Sequence, residues 1–460
     1  MKKKNIYIYF EIYKREFLSN LLLSIYAAKK GFNVYIGKNK VFNNILLKNF
    51  INEGIFHTKS LTHGKEKSNF HQELIKKNFL ITNIDQEHGA INEGNFNDIF
   101  IKPRIDISEL TKCSAFFCWG KYDFKKFNKK FKTYKKFYLT GSPRVDLWKK
   151  QFQRLWMNKD LKNRKYLLFV SNFNYVCNYY PLKKIIKRQE KAGYYKRSPN
   201  LRKIEINFYS YQKKTFKKFI ELILEVAKKF PEKEIFVRPH PTEDPAGWVN
   251  LLKGYNNIHI MSDGNLTEYI KNSECVIQSG CTSAIEAFIL KKPLINYIPV
   301  NAKDNVVGKF AEKFSINLKK KTDIFQIIKN KNFKFRNKEK IVNQRMLFKN
   351  KELSSKKIVE VWSSLYKKNK KNFRVTNDNE DTKILFYLFF SDYFNMILTN
   401  IVLFFKNKLY LKKIFKHKSE DLEKEKTDKQ IEKLCECLKI NNYFKVKKLG
   451  KDLIKITLKK

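Results

Sequence analysis

Three observations predict an α/β fold made of two doubly wound, Rossmann-like domains and a C-terminal, mostly helical extension. Apolar runs of strand length alternate with segments of helical spacing, the pattern of a parallel sheet with crossover helices. The rhythm runs from Ile6 to about Thr140 and starts again at Lys165, so it is present twice. Beyond about Lys340 it stops, and Lys and Asn dominate. The expected organisation is therefore a first domain over 1–160, a second over 161–340 and a basic extension over 341–460. Two such domains facing each other would leave the active site in the cleft between them.

The elements follow in order. Ile6 to Ile12 alternates as a strand, and Arg15 to Lys30 has amphipathic helical spacing closed by Gly31. Further strands are expected at Phe32 to Ile36, Ile55-Phe56, Phe79 to Ile84, Ala115 to Trp119 and Phe137 to Thr140. In the second domain Tyr166 to Val170 is a strand that ends in Ser171-Asn172-Phe173-Asn174. The polar and aromatic stretch from Tyr175 to about Phe208 is longer than an ordinary connection, which marks a functional loop or a helical excursion. Phe216 to Phe230 places Phe219, Ile220, Ile223, Leu224 and Ala227 on one helical face, and Pro231 stops it.

The chemistry concentrates in Glu234 to Pro299. Three apolar runs there, at 235–237, 258–260 and 275–277, each break off at polar residues. Open parallel sheets bind ligands beyond the carboxyl ends of their strands. Arg238-Pro239-His240-Pro241 follows the first run. Flanking prolines restrict the backbone on both sides of His240, so a rigid loop can aim its imidazole at a phosphate oxygen while Arg238 adds charge. The bland alternative is a histidine that closes a neighbouring loop. Gln278-Ser279-Gly280-Cys281-Thr282-Ser283 follows the third run and leads into a helix over Ala284 to Leu290. Gly280 allows close backbone approach, the helix start offers N–H groups, and three hydroxyls add contacts. Plain N-capping would need only one of those hydroxyls. Glu286, in the first turn, could accept from a ribose hydroxyl.

In the first domain Asp85-Gln86-Glu87-His88-Gly89 follows a strand. Asp85 and Glu87 share one side if the segment stays extended, and either could serve as general base or nucleophile in sugar transfer. A solvated turn fits the spacing equally well. Glu11, Arg15 and Glu16 after the first strand have the same two readings. Gly141-Ser142-Pro143-Arg144-Val145-Asp146 is a Pro-bearing turn, structural by default, with Arg144 in reach of the cleft. There is no Asp-x-Asp pair, no Walker loop and no Gly-x-Gly-x-x-Gly, which points away from kinases and dehydrogenases and toward chemistry without a metal or cofactor.

Composition narrows the partners. The formal charge is +52, but Arg is scarce beside Lys and the lysines are spread along the whole chain. Specific nucleic-acid binding favours Arg, so an anionic membrane surface is the better match for this charge. Seven cysteines at spacings that fit neither zinc nor a disulfide framework indicate a reducing compartment. Lys2-Lys3-Lys4 runs straight into a strand rather than a signal peptide, so a cytoplasmic protein is expected. Ile384 to Phe405 is long enough to span a bilayer, but Asp392 near its centre favours helices packed on the protein or lying at the membrane surface.

Together, FEIYKREFLSNLLLSIYAAKKGFNVYIG, IDQEHGA, FFCWG, LTGSPRVDLW, FVSNFN, RPHP and QSGCTSAIEAF, in order from Phe10 to Phe288, resemble the bacterial surface carbohydrate biosynthesis proteins of glycosyltransferase B fold. The His-Pro pair and the Ser-rich turn are similar to those of CMP-sugar-using sialyl- and Kdo-transferases. The resemblance implies that His240, Ser279 and their neighbours contact the nucleotide phosphate. It also implies transfer of a sugar from a nucleotide-sugar donor, a CMP-sugar by preference, to a glycan or glycolipid acceptor at the inner face of the membrane. A CDP-polyol phosphotransferase or a nucleotide-sugar epimerase on the same fold, or a non-enzymatic membrane scaffold, are the alternatives. Gln86 between Asp85 and Glu87 leaves the catalytic carboxylate open. The extension lies outside the resemblance.

Overall fold

The computed structural model of the chain describes residues 4–87, 96–301, 309–373, 379–391, 422–441 and 443–459. By its contacts the chain divides into two units, Met1–Glu87 with Asp106–Leu147 and Asn350–Lys460, and His88–Ile105 with Trp148–Lys349. Each is built on one sheet with parallel strands at its heart, as the alternating pattern requires.

Among the described residues the first unit has eight strands: β1 Lys4–Phe10, β2 Phe32–Lys38, β3 Gly54–Thr58, β4 Leu80–Asn83, β5 Cys113–Cys118, β6 Phe137–Leu139, and, from the extension, β13 Phe444–Gly450 and β14 Leu453–Leu458. They lie in the order β13-β14-β2-β1-β3-β4-β5-β6. The pairs from β2 to β6 are parallel. The chain leaves β1 toward β2 on one side and returns to β3 on the other. Such a reversal opens a crevice beyond the strand ends, here between β1 and β3.

The described residues of the second unit form six: β7 Leu167–Val170, β8 Ile235–Arg238, β9 Ile258–Ile260, β10 Cys275–Gln278, β11 Leu294–Tyr297 and β12 Ile316–Leu318. The order β12-β11-β10-β7-β8-β9 is that of a dinucleotide-binding sheet, with its reversal between β7 and β10. Its strands are Leu-, Ile-, Val- and Phe-rich because both faces are covered. Leu167, Phe169, Ile235, Val237 and Ile277 pack with Phe219 and Ile223 of the helix Pro199–Lys229.

The two Rossmann-like units therefore match the expected α/β class. The extension, expected to be mostly helical, has helices at Ser354–Asn369, 380–391 and Lys424–Leu438. It also contributes the β13–β14 hairpin, whose second strand pairs antiparallel with β2 and covers that edge. Gly37 makes the approach possible: a Cβ there would lie 2.9 Å from Leu453 Cδ1 and 3.1 Å from the Asp452 carbonyl. The strand expected at Phe32 to Ile36 therefore continues through Gly37 to Lys38.

Two buried carboxylates fasten the extension to the first sheet. Glu380 accepts from the Asn52 amide (2.9 Å), Asn52 Nδ2 (2.7 Å), Asn5 Nδ2 (3.1 Å) and the Tyr35 hydroxyl (3.0 Å). Asp146, in the Pro-bearing turn, accepts from Ser354 Oγ and from the amide and hydroxyl of Ser355, at 3.0–3.1 Å, and so holds the start of the helix Ser354–Asn369. Ile384 and Leu388 pack among Phe42, Leu449 and Leu453, whereas Phe386, Phe389 and Phe390 on the other face are exposed. Residues 392–405 of the long apolar stretch lie outside the described residues. Among the described residues no helix is long and apolar enough to cross a membrane.

Candidate functional site

In the second unit the polar residues that follow β7, β8 and β10 gather at the carboxyl edge of the sheet. The β10 turn is the most constrained. Gln278 is fully buried; its Nε2 donates to Asn296 Oδ1 (3.1 Å) and its Oε1 accepts from the Cys281 amide (2.5 Å). Asn296, at the third position of β11, also accepts from the Gly280 amide (2.9 Å) and donates through Nδ2 to Asn317 (3.1 Å). A ladder of three amide side chains across β10, β11 and β12 thus sets the shape of the turn. Gly280 has φ of +67°, a left-handed conformation that glycine adopts without strain.

This arrangement changes what the turn can offer. The amides of Gly280 and Cys281 serve Asn296 and Gln278, so they are not the phosphate donors that the sequence suggested. Thr282 is the residue before the helix Ser283–Ile289, yet its side chain forms no cap hydrogen bond. Its hydroxyl is exposed, and that of Ser279 is half-buried beside the Tyr211 hydroxyl. Ser283, expected to add a phosphate contact, is instead buried beside the Cys281 thiol. The accessible edge of the turn is therefore Ser279 and Thr282.

Across the switch point from this turn stands Asn172, just beyond β7, whose Nδ2 donates to the Gly280 carbonyl (3.4 Å). Beside β7, at the end of β8, is His240. Its Nδ1 lies 2.8 Å from the Thr242 hydroxyl and 3.3 Å from the Thr242 amide. An Nδ1 that accepts from that amide leaves the ring proton on Nε2, a tautomer suited to donate to an anionic oxygen. The rigid loop expected from the two prolines is present, and Nδ1 takes part in closing it, the bland role.

Two predicted residues have other tasks. Arg238 donates to the carbonyls of Met261 (2.8 Å), Asp263 and Gly264 (2.8 Å), and its guanidinium lies over the Tyr269 ring. Its fork secures the loop after β9, and is not the phosphate charge that the sequence suggested. Burial also pulls its basicity down. Glu286 is buried with its carboxylate on the Thr267 hydroxyl, which removes it from the ribose role. Both readings have one origin: partners more than a dozen residues away in the chain do not show in a linear sequence, so the charge was given to a ligand.

Sequence reasoning missed Glu243, Gln212, Tyr211 and Asn296. Glu243 is 1 % exposed and accepts from Ser171, Phe173, His240 and Trp248. Tyr211 and Gln212 come from the helix Pro199–Lys229, which starts well before the expected Phe216 and absorbs part of the long insertion. Gln212 Nε2 donates to the Asn172 carbonyl (2.5 Å) and its Oε1 accepts from the Tyr175 amide (3.1 Å). The available signal was Glu243 itself, three residues beyond His240 in a loop already singled out.

The first unit has a charged cluster at its own reversal. Glu11 follows β1, Lys59 follows β3, and Glu87 lies beyond β4. Arg15 Nη2 bridges Glu16 (2.9 Å) and Glu87 (3.4 Å), while Lys59 pairs with Glu11 and lies 3.6 Å from Glu16. Glu16 is fully buried and accepts from the Glu11 amide (2.8 Å), which ties the strand end to the helix Tyr13–Lys29. Glu11, Arg15 and Glu87 are thus brought together. Asp85 is not: the chain turns after it, its Oδ1 accepts from the Glu87 amide (2.9 Å), and it is 1 % exposed. Asp85 shapes the turn that presents Glu87, whose side chain is 43 % exposed. Arg144 is half-buried in the Ser142–Asp146 turn, where its amide donates to Ser142 Oγ (3.3 Å).

Fold and sites define an α/β protein of two Rossmann-like units, each with a polar cluster at the reversal of its parallel strands. No protein-family model matches the chain, and no curated protein matches it. Among solved structures it is similar to the UDP-GlcNAc 2-epimerase of Methanocaldococcus jannaschii in complex with UDP-GlcNAc and UDP, at 14% identity over 78% of this chain and 99% of that one, with a TM-score of 0.47. It is also similar to the Neisseria meningitidis UDP-GlcNAc 2-epimerase bound to UDP-GlcNAc, at 12% identity over 78% and 100%, TM-score 0.46. A third is the wall teichoic acid polymerase TagF, at 12% identity over 80% and 89%, TM-score 0.49.

Proposed function

We propose that the protein is a glycosyltransferase that uses a nucleotide-activated sugar, a CMP-sugar by preference, to extend a cell-surface glycan or glycolipid. The observation that carries this reading is the carboxyl edge of the second sheet. Asn172 and the Ser279–Thr282 turn flank the β7/β10 reversal, and His240 stands on the adjoining strand end with its ring proton on Nε2. In sugar transfer, negative charge grows on the departing phosphate as the glycosidic bond breaks. A fixed N–H donor at that oxygen stabilises the transition state more than the ground state. The hydroxyls of Ser279 and Thr282 add contacts without charge.

The acceptor hydroxyl must lose a proton as it attacks. Glu87 is the accessible carboxylate that we assign to this step, with Glu11 as the second candidate and Arg15 as the group that holds Glu87 in place. A cytoplasmic site of action, at an anionic membrane surface, fits the dispersed positive charge and the exposed Phe386, Phe389 and Phe390.

Product analysis tests the reading. Purified protein is supplied with a CMP-sugar or a CDP-polyol and a glycolipid acceptor, and the released nucleotide is identified. The expected result is CMP release that requires acceptor and falls at least 100-fold in Glu87→Gln. Release from the CDP-polyol alone would reassign the protein to polyol phosphate transfer. Conversion of a nucleotide sugar without any nucleotide release would make it an epimerase.

A further inference from the structure

Glu243 has no positively charged partner in the hydrogen bonds that hold it, and it is nevertheless almost entirely buried. Burying a carboxylate is costly unless every lone pair is used. Here four donors offset part of that cost, three at Oε2 and one at Oε1. Oε2 accepts from Ser171 Oγ at 2.6 Å, Trp248 Nε1 at 2.9 Å and the His240 amide at 3.2 Å, and Oε1 accepts from the Phe173 amide at 2.6 Å. Burial pushes the acid up to about 7, against the pull of the same four donors.

The donors come from three separate segments: the turn after β7, the loop after β8 and the helix Pro245–Leu252. Two of the four are backbone amides, so the carboxylate acts on main-chain geometry and not only on side-chain orientation. The same two loops are also joined by the Asp244 amide to the Cys177 carbonyl (2.9 Å) and the Tyr179 amide to the Thr242 carbonyl (3.4 Å). Ser171 and Phe173 flank Asn172, which reaches the Gly280 carbonyl. One side chain therefore sits beneath His240 on one strand end and Asn172 on the next.

We infer that Glu243 is the positioning residue of this edge: it fixes the loop of His240 relative to the Asn172 turn without touching the ligand. What those loops bind rests on the donor-site reading above, whereas the positioning itself does not. A glutamine at 243 keeps one acceptor oxygen but turns an amide N–H₂ toward donors, so at least one of the two loops loses its anchor.

The test compares wild type, Glu243→Gln, Trp248→Phe and Ser171→Ala by three readouts. These are hydrogen exchange of peptides covering 171–178 and 239–244, the His240 ring signals in long-range ¹H–¹⁵N spectra, and titration with CMP. In Glu243→Gln, exchange in both peptides should rise at least tenfold while peptides from β12 stay as in wild type. The Nε2–H tautomer signature of His240 should be lost, and CMP affinity should fall tenfold or more. Trp248→Phe and Ser171→Ala should show smaller shifts in the same peptides, and they carry the comparison if the glutamine variant does not fold. Unchanged exchange and unchanged His240 signals in all three variants would overturn the inference. If the loops open as expected but wild type binds no nucleotide, Glu243 keeps its role and the donor-site reading falls instead.

Discussion

Removing the Glu380 carboxylate should destabilise the first unit by about 3–5 kcal/mol, because it leaves several buried neutral donors without an acceptor at about 1–3 kcal/mol each, summed non-additively. Four donors converge on it within 2.7–3.1 Å, and Asn5, Tyr35 and Asn52 are each on or beside a strand that the extension must recognise. The Tyr7 hydroxyl is also close, 3.2 Å from Oε1 and 2.6 Å from the Asn52 carbonyl. Burial, reinforced by Glu380, drives the phenols of Tyr7 and Tyr35 well above their ordinary acidity range, so both stay protonated. Glu380→Ala leaves these groups facing a void, and charge-assisted bonds of about 1.5–3 kcal/mol each are lost non-additively. Glu380→Gln keeps the volume and one acceptor, and should cost about half as much. Because the two units need not unfold together, the assay is urea-dependent hydrogen exchange on peptides from β2 and β14, with β8 peptides as the internal control. A change under about 0.5 kcal/mol in Glu380→Ala would refute the claim that this carboxylate fastens the extension to the sheet.

Other outcomes follow from single residues. Glu109 is buried, which alone would raise its pKa, but hydrogen bonds and charge from His71 and Lys112, with Ser68, outweigh burial and hold it down to about 2. A depressed carboxylate contributes stability above its unfolded value that is lost as the pH falls through the folded one. Thermal melts should therefore show an acid-destabilising limb between about pH 4.5 and 2, flattened in Glu109→Gln. Glu243 has the opposite sign: raised to about 7, it favours the folded state at low pH, and that contribution disappears as the pH rises from about 4.5 to 7. The difference in stability between wild type and Glu243→Gln should accordingly change across that window, as read by melts at each pH. Gly280→Ala should lose about 1–2 kcal/mol to the left-handed φ and weaken nucleotide binding beyond that loss, measured by titration.

Much of the architecture was legible because local periodicity and turn residues agree with it. The strands β1 to β10 fall within a few residues of their apolar runs, and His240 and the Ser279–Thr282 edge stand at strand ends as the pattern implied. The rest depended on partners that periodicity does not encode. The β13–β14 hairpin reads as short alternating runs, and nothing local says that it joins β2. Leu294–Tyr297 and Ile316–Leu318 are short runs hidden behind Pro- and Lys-rich neighbours. The first half of the helix Pro199–Lys229 is polar and tyrosine-rich, so it lacks an apolar stripe. Arg238 and Glu286 read as ligand contacts, and Glu243 had no role assigned. Their partners are backbone carbonyls, amides and hydroxyls that only the folded chain assembles, which is why Arg238 was assigned to a phosphate and Glu243 to nothing.

The central claim is that the carboxyl edge of the second sheet holds a nucleotide phosphate through His240. Isothermal titration of wild type and His240→Ala with CMP, CDP, UDP and GDP measures this directly. Saturable binding of CMP, strongest among the four, is expected, with at least a tenfold loss in a His240→Ala variant that still folds. No binding of any of the four, or equal binding by the variant, would contradict it.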